Sequence, residues 1–493
     1  MVDTPGSHEQ LVGRRANLVA EMTTTSRRKA VLDLPLRLER GAGSQARRIH
    51  AAIRDAILDG QLAAGLRLPS SRALAEQLGV RRSVVVVAYE HLYGDGLVES
   101  RTGAGTYVAA GIQVHAPAPT APVAITVPSR RACAVGSTTV SRNLLRRFGM
   151  AARRRIAQAG AADLFRGDPR GTRALREQIA AHLAASRGFR ADPDCIIVVG
   201  SVQQGLRLCA EALFSPGDAV WTEDPGYPPT HRTLRAAGLQ LIAIPVDAEG
   251  LDVTAGRKRS SDARAAYVTP SNQFPTSVSM PMPRRLALLE WAREARAWVL
   301  EDDYDNEFRY DGPPLTALAG LDGGDRVIYF GTFSKMLFSS VRLAYVVAPA
   351  AALERMIAAR ASYDRFPPSL LEGAVADLMA DGTLAAHTRH VRKHYRMARD
   401  TLASALEQSA GTHLRIVKPA QGLHLLAYLA GDVSPEAASQ ILEQAGVESW
   451  LLSETRLEVH GPEGFILGFA GHTEADLRHA AVALGAAVRS VLG

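Results

Sequence analysis

Cysteine is scarce in this chain: Cys133, Cys195 and Cys209 are all there is, with no metal-like pairing among them. That count excludes a disulfide scaffold and fits a reducing compartment. No apolar run approaches the roughly 20 residues of a membrane-spanning helix. The N-terminus lacks the apolar stretch of an export signal, so a cytoplasmic location is expected. No segment repeats at solenoid periods. What is present is bulk: 493 residues, 47% of them hydrophobic, enough for several folded domains and far from a disordered composition. The formal net charge of +7 suggests a polyanionic partner, although basic enzymes carry similar charge.

Three textures succeed one another. Residues 1 to 34 are polar and aperiodic and read as a disordered extension, with Met22 standing beside Met1 as a candidate start. Residues 35 to 109 read as compact and helical. Residues 110 to 142 hold Pro117, Pro119, Pro122 and Pro128 among Ala, Thr and Ser, the composition of a semi-extended linker. From 143 to 493, short apolar strands alternate with longer helical stretches. Ile196 to Val199, Ala219 to Thr222, Leu241 to Ile244, Ala265 to Val268, Trp298 to Leu300, Val327 to Phe330 and Leu343 to Val347 are the strand candidates. Alternation of this kind predicts a mostly parallel sheet covered by helices, and the texture after 370 predicts a smaller second lobe.

In the first folded region, Ile49, Ile53 and Ile57 mark one face of a helix ended by Gly60. Pro69 cannot continue a helix and a following serine can cap the next, whose Leu74 and Leu78 face inward before Gly79. A third helix is expected from Arg82 to about Tyr93, although Val84 to Val87 favour a strand on propensity. Two short helices across a tight Gly turn make a helix-turn-helix, with Arg81, Arg82 and Ser83 placed for a major groove. Leu97 to Ser100 and Thr106 to Val108 flank a Gly-rich tip and read as a wing. The ordered strings Leu-Pro-Ser-Ser-Arg, Leu-Gly-Val, Ala-Tyr-Glu, Gly-Leu-Val and Gly-Ala-Gly-Thr-Tyr-Val, from Leu68 to Val108, resemble the winged helix-turn-helix of the GntR family. The resemblance implies DNA contacts by Arg72, Arg81, Arg82 and Ser83 and, at the wing tip, by Thr102 and Gly103. Arg72 and Arg82 remain open to phosphate or guanine. The family usually has a small polar residue where Arg81 stands.

In the second region, Lys335 follows a small, hydroxyl-rich turn, Gly331-Thr332-Phe333-Ser334, well after the acidic cluster Glu301-Asp302-Asp303-Tyr304-Asp305. That pairing suits pyridoxal 5'-phosphate: the lysine takes the aldehyde as a Schiff base and the Asp pairs with the pyridinium nitrogen. Ser201, opening a helix after a strand, offers N–H groups for a phosphate. Arg342 can pair a phosphate bidentately. Tyr227 can stack on a flat ring, and Thr269 to Pro275 place polar groups at a strand end, where α/β ligands bind.

This ensemble resembles fold-type-I aminotransferases. The whole chain resembles MocR-type (GabR-like) regulators of the GntR family. The fold class this implies is α/β: an N-terminal winged helix-turn-helix joined by a linker to a PLP-dependent aminotransferase-like domain, with a large mostly parallel sheet and a small α+β lobe. It implies Lys335 as the Schiff-base lysine, Asp302 at the pyridine nitrogen, Tyr304 at the phenolic oxygen and Tyr227 on the ring. It places Ser201, Gln203, Thr332 and Arg342 around the phosphate. There are departures. The family commonly has His where Asn272 stands, Gly where Ser277 and Ala344 stand, and Pro where Ser339 stands. Aminotransferases usually place a carboxylate-binding Arg just before the final strand, whereas Phe465-Ile466-Leu467-Gly468-Phe469 has none and Arg456 is the nearest upstream.

The expectation is therefore a homodimeric regulator, bound to DNA half-sites, sensing pyridoxal phosphate or an amine or amino-acid effector. At most vestigial transaminase activity is expected. The alternatives are a working aminotransferase with an accessory DNA-binding domain, and a nucleic-acid-associated protein whose large domain is only a dimerisation scaffold.

Overall fold

The computed structural model describes residues 44–101, 103–111, 131–161, 165, 167–362, 364–458 and 460–492. The expected extension, most of the expected linker and Thr102 lie outside the described residues. The chain divides into two units, Met1–Thr126 and Val127–Gly493, and among the described residues no helix is long and apolar enough to cross a membrane.

In the first unit, Ser44 caps the helix Gln45–Leu58, which buries Ile49, Ile53 and Ile57. Ser70 caps the next, Ser71–Leu78, by accepting from the Ala73 N–H at 3.2 Å, and Gly79 ends it in the left-handed region at φ 64°. Only glycine takes that conformation without strain, so the chain turns at once into the helix Arg82–Gly94. The valine run is helical because tertiary packing overrides its propensity. Val85, Ala88, Tyr89 and Leu92, at i, i+3, i+4 and i+7, are all buried in the same core as Leu74 and the isoleucines. The Tyr89 hydroxyl donates to the Pro69 carbonyl at 2.8 Å and fixes the turn below. Strands β1 (Val98–Arg101) and β2 (Gly105–Val108) form the wing, with Arg101 opposite Gly105.

The second unit holds an eight-stranded sheet in the order β3-β10-β9-β8-β7-β4-β5-β6. Its strands are β3 (Ile196–Val199), β4 (Ala219–Asp224), β5 (Gln240–Asp247), β6 (Gly250–Leu251), β7 (Ala265–Val268), β8 (Trp298–Asp302), β9 (Val327–Thr332) and β10 (Ala344–Val347). Successive residues feed opposite cores: Val198, Val299 and Tyr329 pack on one face, Ile197, Leu300 and Ile328 on the other. Burial on both faces explains why these strands read as continuous apolar runs. Strands β4, β5, β7, β8 and β9 are parallel, as expected, while β10 runs antiparallel to both β3 and β9. The segment carrying Lys335 joins β9 to β10 and is too short for the crossover that a parallel pair needs.

The smaller lobe is a four-stranded antiparallel sheet, β11 (Leu414–Val417), β12 (His424–Leu429), β14 (Gly464–Gly468) and β13 (Trp450–Leu451), in that spatial order. One face packs on the helices Thr383–Ala410, Pro435–Ala445 and Glu474–Leu492 through Leu425, Ala427, Phe465 and Leu467. The other face presents Leu426 and Ile466 to Phe274 and Leu452.

The linker expected to run to 142 ends earlier as an independent strand of chain. Cys133 sits in the small-lobe core, its carbonyl accepts from the Gly468 N–H at 2.8 Å, and the Thr139 N–H donates to the Tyr395 hydroxyl at 2.7 Å. Residues 131 to 141 thus belong to the second unit, because their apolar side chains and backbone polar groups find partners there.

Candidate functional site

The strands β3, β4, β7, β8 and β9 end on one edge of the large sheet, and the residues that follow them converge there. They enclose a cavity of about 320 Å3. All eight residues expected at a cofactor line it: Ser201, Gln203, Tyr227, Asp302, Tyr304, Thr332, Lys335 and Arg342.

Lys335 is half-buried, and its Nζ donates to the Gly136 carbonyl at 3.3 Å. Burial pulls its pKa below the ordinary lysine value, against the opposing pull of Asp305 and Asp302. A lysine shifted in that direction gives up its proton more easily than a free one, which favours a nucleophilic amine. Gly136 needs its left-handed φ of 87°, and a Cβ there would stand 3.1 Å from the amine. The former linker therefore supplies a wall of the site, a role the sequence did not signal.

Asp302, the last residue of β8, accepts from the Tyr267 hydroxyl at 2.7 Å through Oδ2. Its Oδ1 is buried with no partner. Burial, above all, raises this carboxyl to about 7, with Tyr267 and Lys335 opposing and Asp303 reinforcing. An unmatched buried carboxylate oxygen costs free energy unless a donor or cation meets it. A protonated ring nitrogen supplies both, so the residues fit pyridoxal phosphate at this point.

The Tyr304 hydroxyl accepts from Asn272 Nδ2 at 3.2 Å and donates to the Asn272 carbonyl at 3.2 Å. Asn272 Nδ2 also donates to Asp305 Oδ2 at 2.7 Å, and Gln421 donates to Asp305 Oδ1 at 3.0 Å. Asn272, a departure from the resembled pattern, thus ties Tyr304 to the second buried acid. Ser277, another departure, holds φ at 62°, a conformation that favours glycine.

At the phosphate end, Ser201 caps the helix Val202–Leu213 by accepting from the Gln204 N–H at 3.1 Å. Gly205 seats that helix on the sheet: a Cβ there would lie 2.8 Å from Val346. Thr332 Oγ1 accepts from the Ser334 N–H at 3.1 Å. Arg342 is exposed, and its guanidinium has no hydrogen-bond or ion-pair partner among the described residues. An N-terminal helix turn, two hydroxyls and an open guanidinium make a suitable phosphate cradle.

Sequence reasoning named Tyr267 only as a strand residue and missed Trp450 and His424, all in the cavity wall. Tyr227 lies nearly parallel to Trp450 at 6.0 Å and edge-on to Phe274 at 5.2 Å. His424 is driven down to about 4 by burial and is neutral. Where a carboxylate-binding Arg was sought, Ile466 packs in an apolar cluster with Phe274 and Leu426. Arg456 is tied to the Gly461 carbonyl at 3.0 Å and does not line the cavity. Among the described residues the cations lining the cavity are Lys335 and Arg342.

In the first unit, Arg72, Arg81, Arg82, Ser83 and Gly103 are all exposed. Arg82 Nε donates to Ser71 Oγ at 3.3 Å, so the starts of the second and third helices are brought together. Gly103 sits at the wing tip with φ 73°. Thr102 lies outside the described residues.

Residues 139–484 match the family described as aminotransferase class I and II, and residues 45–108 match bacterial regulatory proteins of the gntR family. The chain is 32% identical over 453 residues to the "Probable rhizopine catabolism regulatory protein MocR" of Rhizobium meliloti, covering 86% of this chain and 90% of that one. It is 32% identical over 428 residues to the "HTH-type pyridoxine biosynthesis transcriptional regulator PdxR" of Corynebacterium glutamicum, covering 86% and 92%. Among solved structures, the α-aminoadipate aminotransferase LysN of Thermus thermophilus, complexed with N-(5'-phosphopyridoxyl)-L-leucine, aligns with a TM-score of 0.66 at 26% identity, over 73% of this chain and 92% of that one.

Proposed function

The chain belongs to the gntR family of regulators through its first unit and to the class I and II aminotransferases through its second, and from that premise we propose that it is a DNA-binding transcriptional regulator whose second unit holds pyridoxal 5'-phosphate. The observation that carries this reading is the unpartnered Asp302 Oδ1 beneath a cavity that also holds Lys335 and Arg342. When bound, the group supplies an aldehyde that a neutral amine can hold covalently and a ring that absorbs visible light.

The chain's own residues do the rest. Lys335 offers the amine, and its burial favours the neutral form. Asp302, steadied by Tyr267, takes the proton-bearing ring nitrogen. Tyr304, positioned by Asn272, would turn its hydroxyl proton from the Asn272 carbonyl to the phenolic edge, and Tyr227 would cover one face. Ser201, Gln203, Thr332 and Arg342 take the phosphate. Lys335, if an effector amine took its place, would be left in a wall that already holds the buried Asp302. The signal reaches the winged unit only if that exchange favours one arrangement of the chain over another. On the DNA side, Arg72, Arg81, Arg82, Ser83 and the wing tip at Thr102 and Gly103 contact the duplex. A homodimer would read two half-sites.

Regulation, rather than turnover, is favoured by the apolar packing of Ile466 where a substrate carboxylate would need a cation. The test is an absorbance titration of the purified full chain with pyridoxal phosphate and then with candidate amines, followed by footprinting on DNA upstream of its own gene. A visible band that amines alter, together with amine-dependent footprints, is the expected result. Steady turnover of amino acid and keto acid would support the enzyme reading instead, and no band at all would refute the sensor.

A further inference from the structure

A second cavity, of about 370 Å3, lies in the same unit and is distinct from the one holding Lys335. It opens between the helix Arg173–Arg187, the segment after the acidic cluster, and the start of the helix Thr383–Ala410. Its charge is unbalanced. Among the described residues Glu307 is its only carboxylate, and that group is already met by His182 at 3.2 Å. Arg187 also lines it but is spoken for by Asp303 at 2.7 Å. Three further guanidiniums keep open donors. Arg309 has a buried Nε with no partner and only a long 3.4 Å contact to Gln421. Arg392 uses one nitrogen on the Glu307 carbonyl at 2.6 Å. Arg389 is exposed with no partner among the described residues. Burial and the neighbouring Arg187 both disfavour the charged form of Arg309, so an anion beside it relieves a real penalty.

Guanidiniums converging on a concave site match oxyanions with two or more acceptor oxygens, and the methionine and leucine side chains between them leave room for a short carbon body. We propose that this cavity binds a small dianion, a phosphate ester or a dicarboxylate, and that its occupancy is felt at the cofactor lysine. The coupling route is covalent and short. Met336, in the wall of the second cavity, follows Lys335 directly, and Asn306, in the same wall, lies two residues after Tyr304, which lines the first. Both segments thus face the two cavities in turn.

The test is calorimetric titration of the full chain, loaded with pyridoxal phosphate so that the Arg342 cradle is filled. Inorganic phosphate and succinate are the probes, in separate arms. Saturable binding of at least one probe, tighter than about 1 mM, is expected. The Arg309→Gln/Arg389→Gln variant should weaken it by about tenfold or more, and the bound probe should shift the visible band of the native protein. Arg389→Gln alone, at an exposed position, gives a smaller loss and guards against misfolding of the pair. Binding unchanged in both variants, or no saturable binding of either probe, overturns the site. Should the protein fail to hold pyridoxal phosphate, the Arg309→Gln/Arg389→Gln variant still decides the anion site, because it leaves the Arg342 cradle intact and only binding at the second cavity should weaken.

Discussion

The two units treat charge in opposite ways. In the winged unit the buried core is aliphatic apart from Tyr89, and the arginines at the helix starts are exposed. In the second unit Glu223, Glu301, Asp302, Asp303 and Asp305 are all nearly or wholly buried, each given a hydroxyl, an amide, an arginine or a backbone N–H as partner. The contrast follows from the ligands. A polyanion is met by mobile surface cations that release counterions, and the protein need only present them. A small, flat, doubly functional molecule has to be met by groups fixed in advance, and fixing them means paying desolvation for buried acids.

The sharpest way to break this comparison is Lys335→Ala. It should abolish the visible band given by pyridoxal phosphate while leaving DNA binding by the winged unit measurable in a mobility-shift assay. Loss of both would mean that the units are not separable in this sense. Leu74→Ala is the converse. It should destabilise the winged unit by about 2–5 kcal/mol through a core cavity, read as an earlier melting transition, with the band retained. Asp302→Asn keeps the shape and removes the charge. It should weaken cofactor binding by about 10–100-fold, the worth of a hydrogen bond to a charged group, and an unchanged affinity would remove Asp302 from the site. Arg82→Ala should lower DNA affinity across sequences and reduce the salt slope by about one; loss confined to one operator position would instead make it a base reader.

The smallest effect concerns pH. Glu223, Asp302 and Asp305 are each raised by burial to about 7. The folded state therefore binds more protons than the unfolded chain between the ordinary carboxyl range and about 7, and stability falls as pH rises through that window. Cofactor-free protein should melt earlier at pH 7.5 than at pH 5.5, and Asp302→Asn should flatten the fall.

Legibility divided along the same line as charge. The winged unit was readable because its signals are local: Ser70 and Gly79 bracket one helix, and the Gly-rich tip marks the wing. Even the valine run yielded, since its flanks left only a helical length. In the second unit the strands and the cofactor motif were readable, being apolar runs and a spaced set of functional groups. The direction of β10 was not, because strand polarity depends on connection length and neighbours. Nor was the role of residues 131 to 141, whose Pro-rich approach read as linker although Gly136 ends beside Lys335.

By itself, then, the amino-acid order determined the two kinds of module, their sequence along the chain and a set of eight groups that line one cavity. Those depend on periodicity, capping and residue chemistry, all of which act within a few turns or along one strand. The tertiary structure alone decided that Tyr267 satisfies one oxygen of Asp302 and leaves the other open. It also decided that Trp450 lines the site while Ile466 packs in an apolar cluster, and that a second cationic cavity lies in the same unit. These are contacts between residues far apart in the chain, and only the packing of one sheet edge against another lobe brings them within reach.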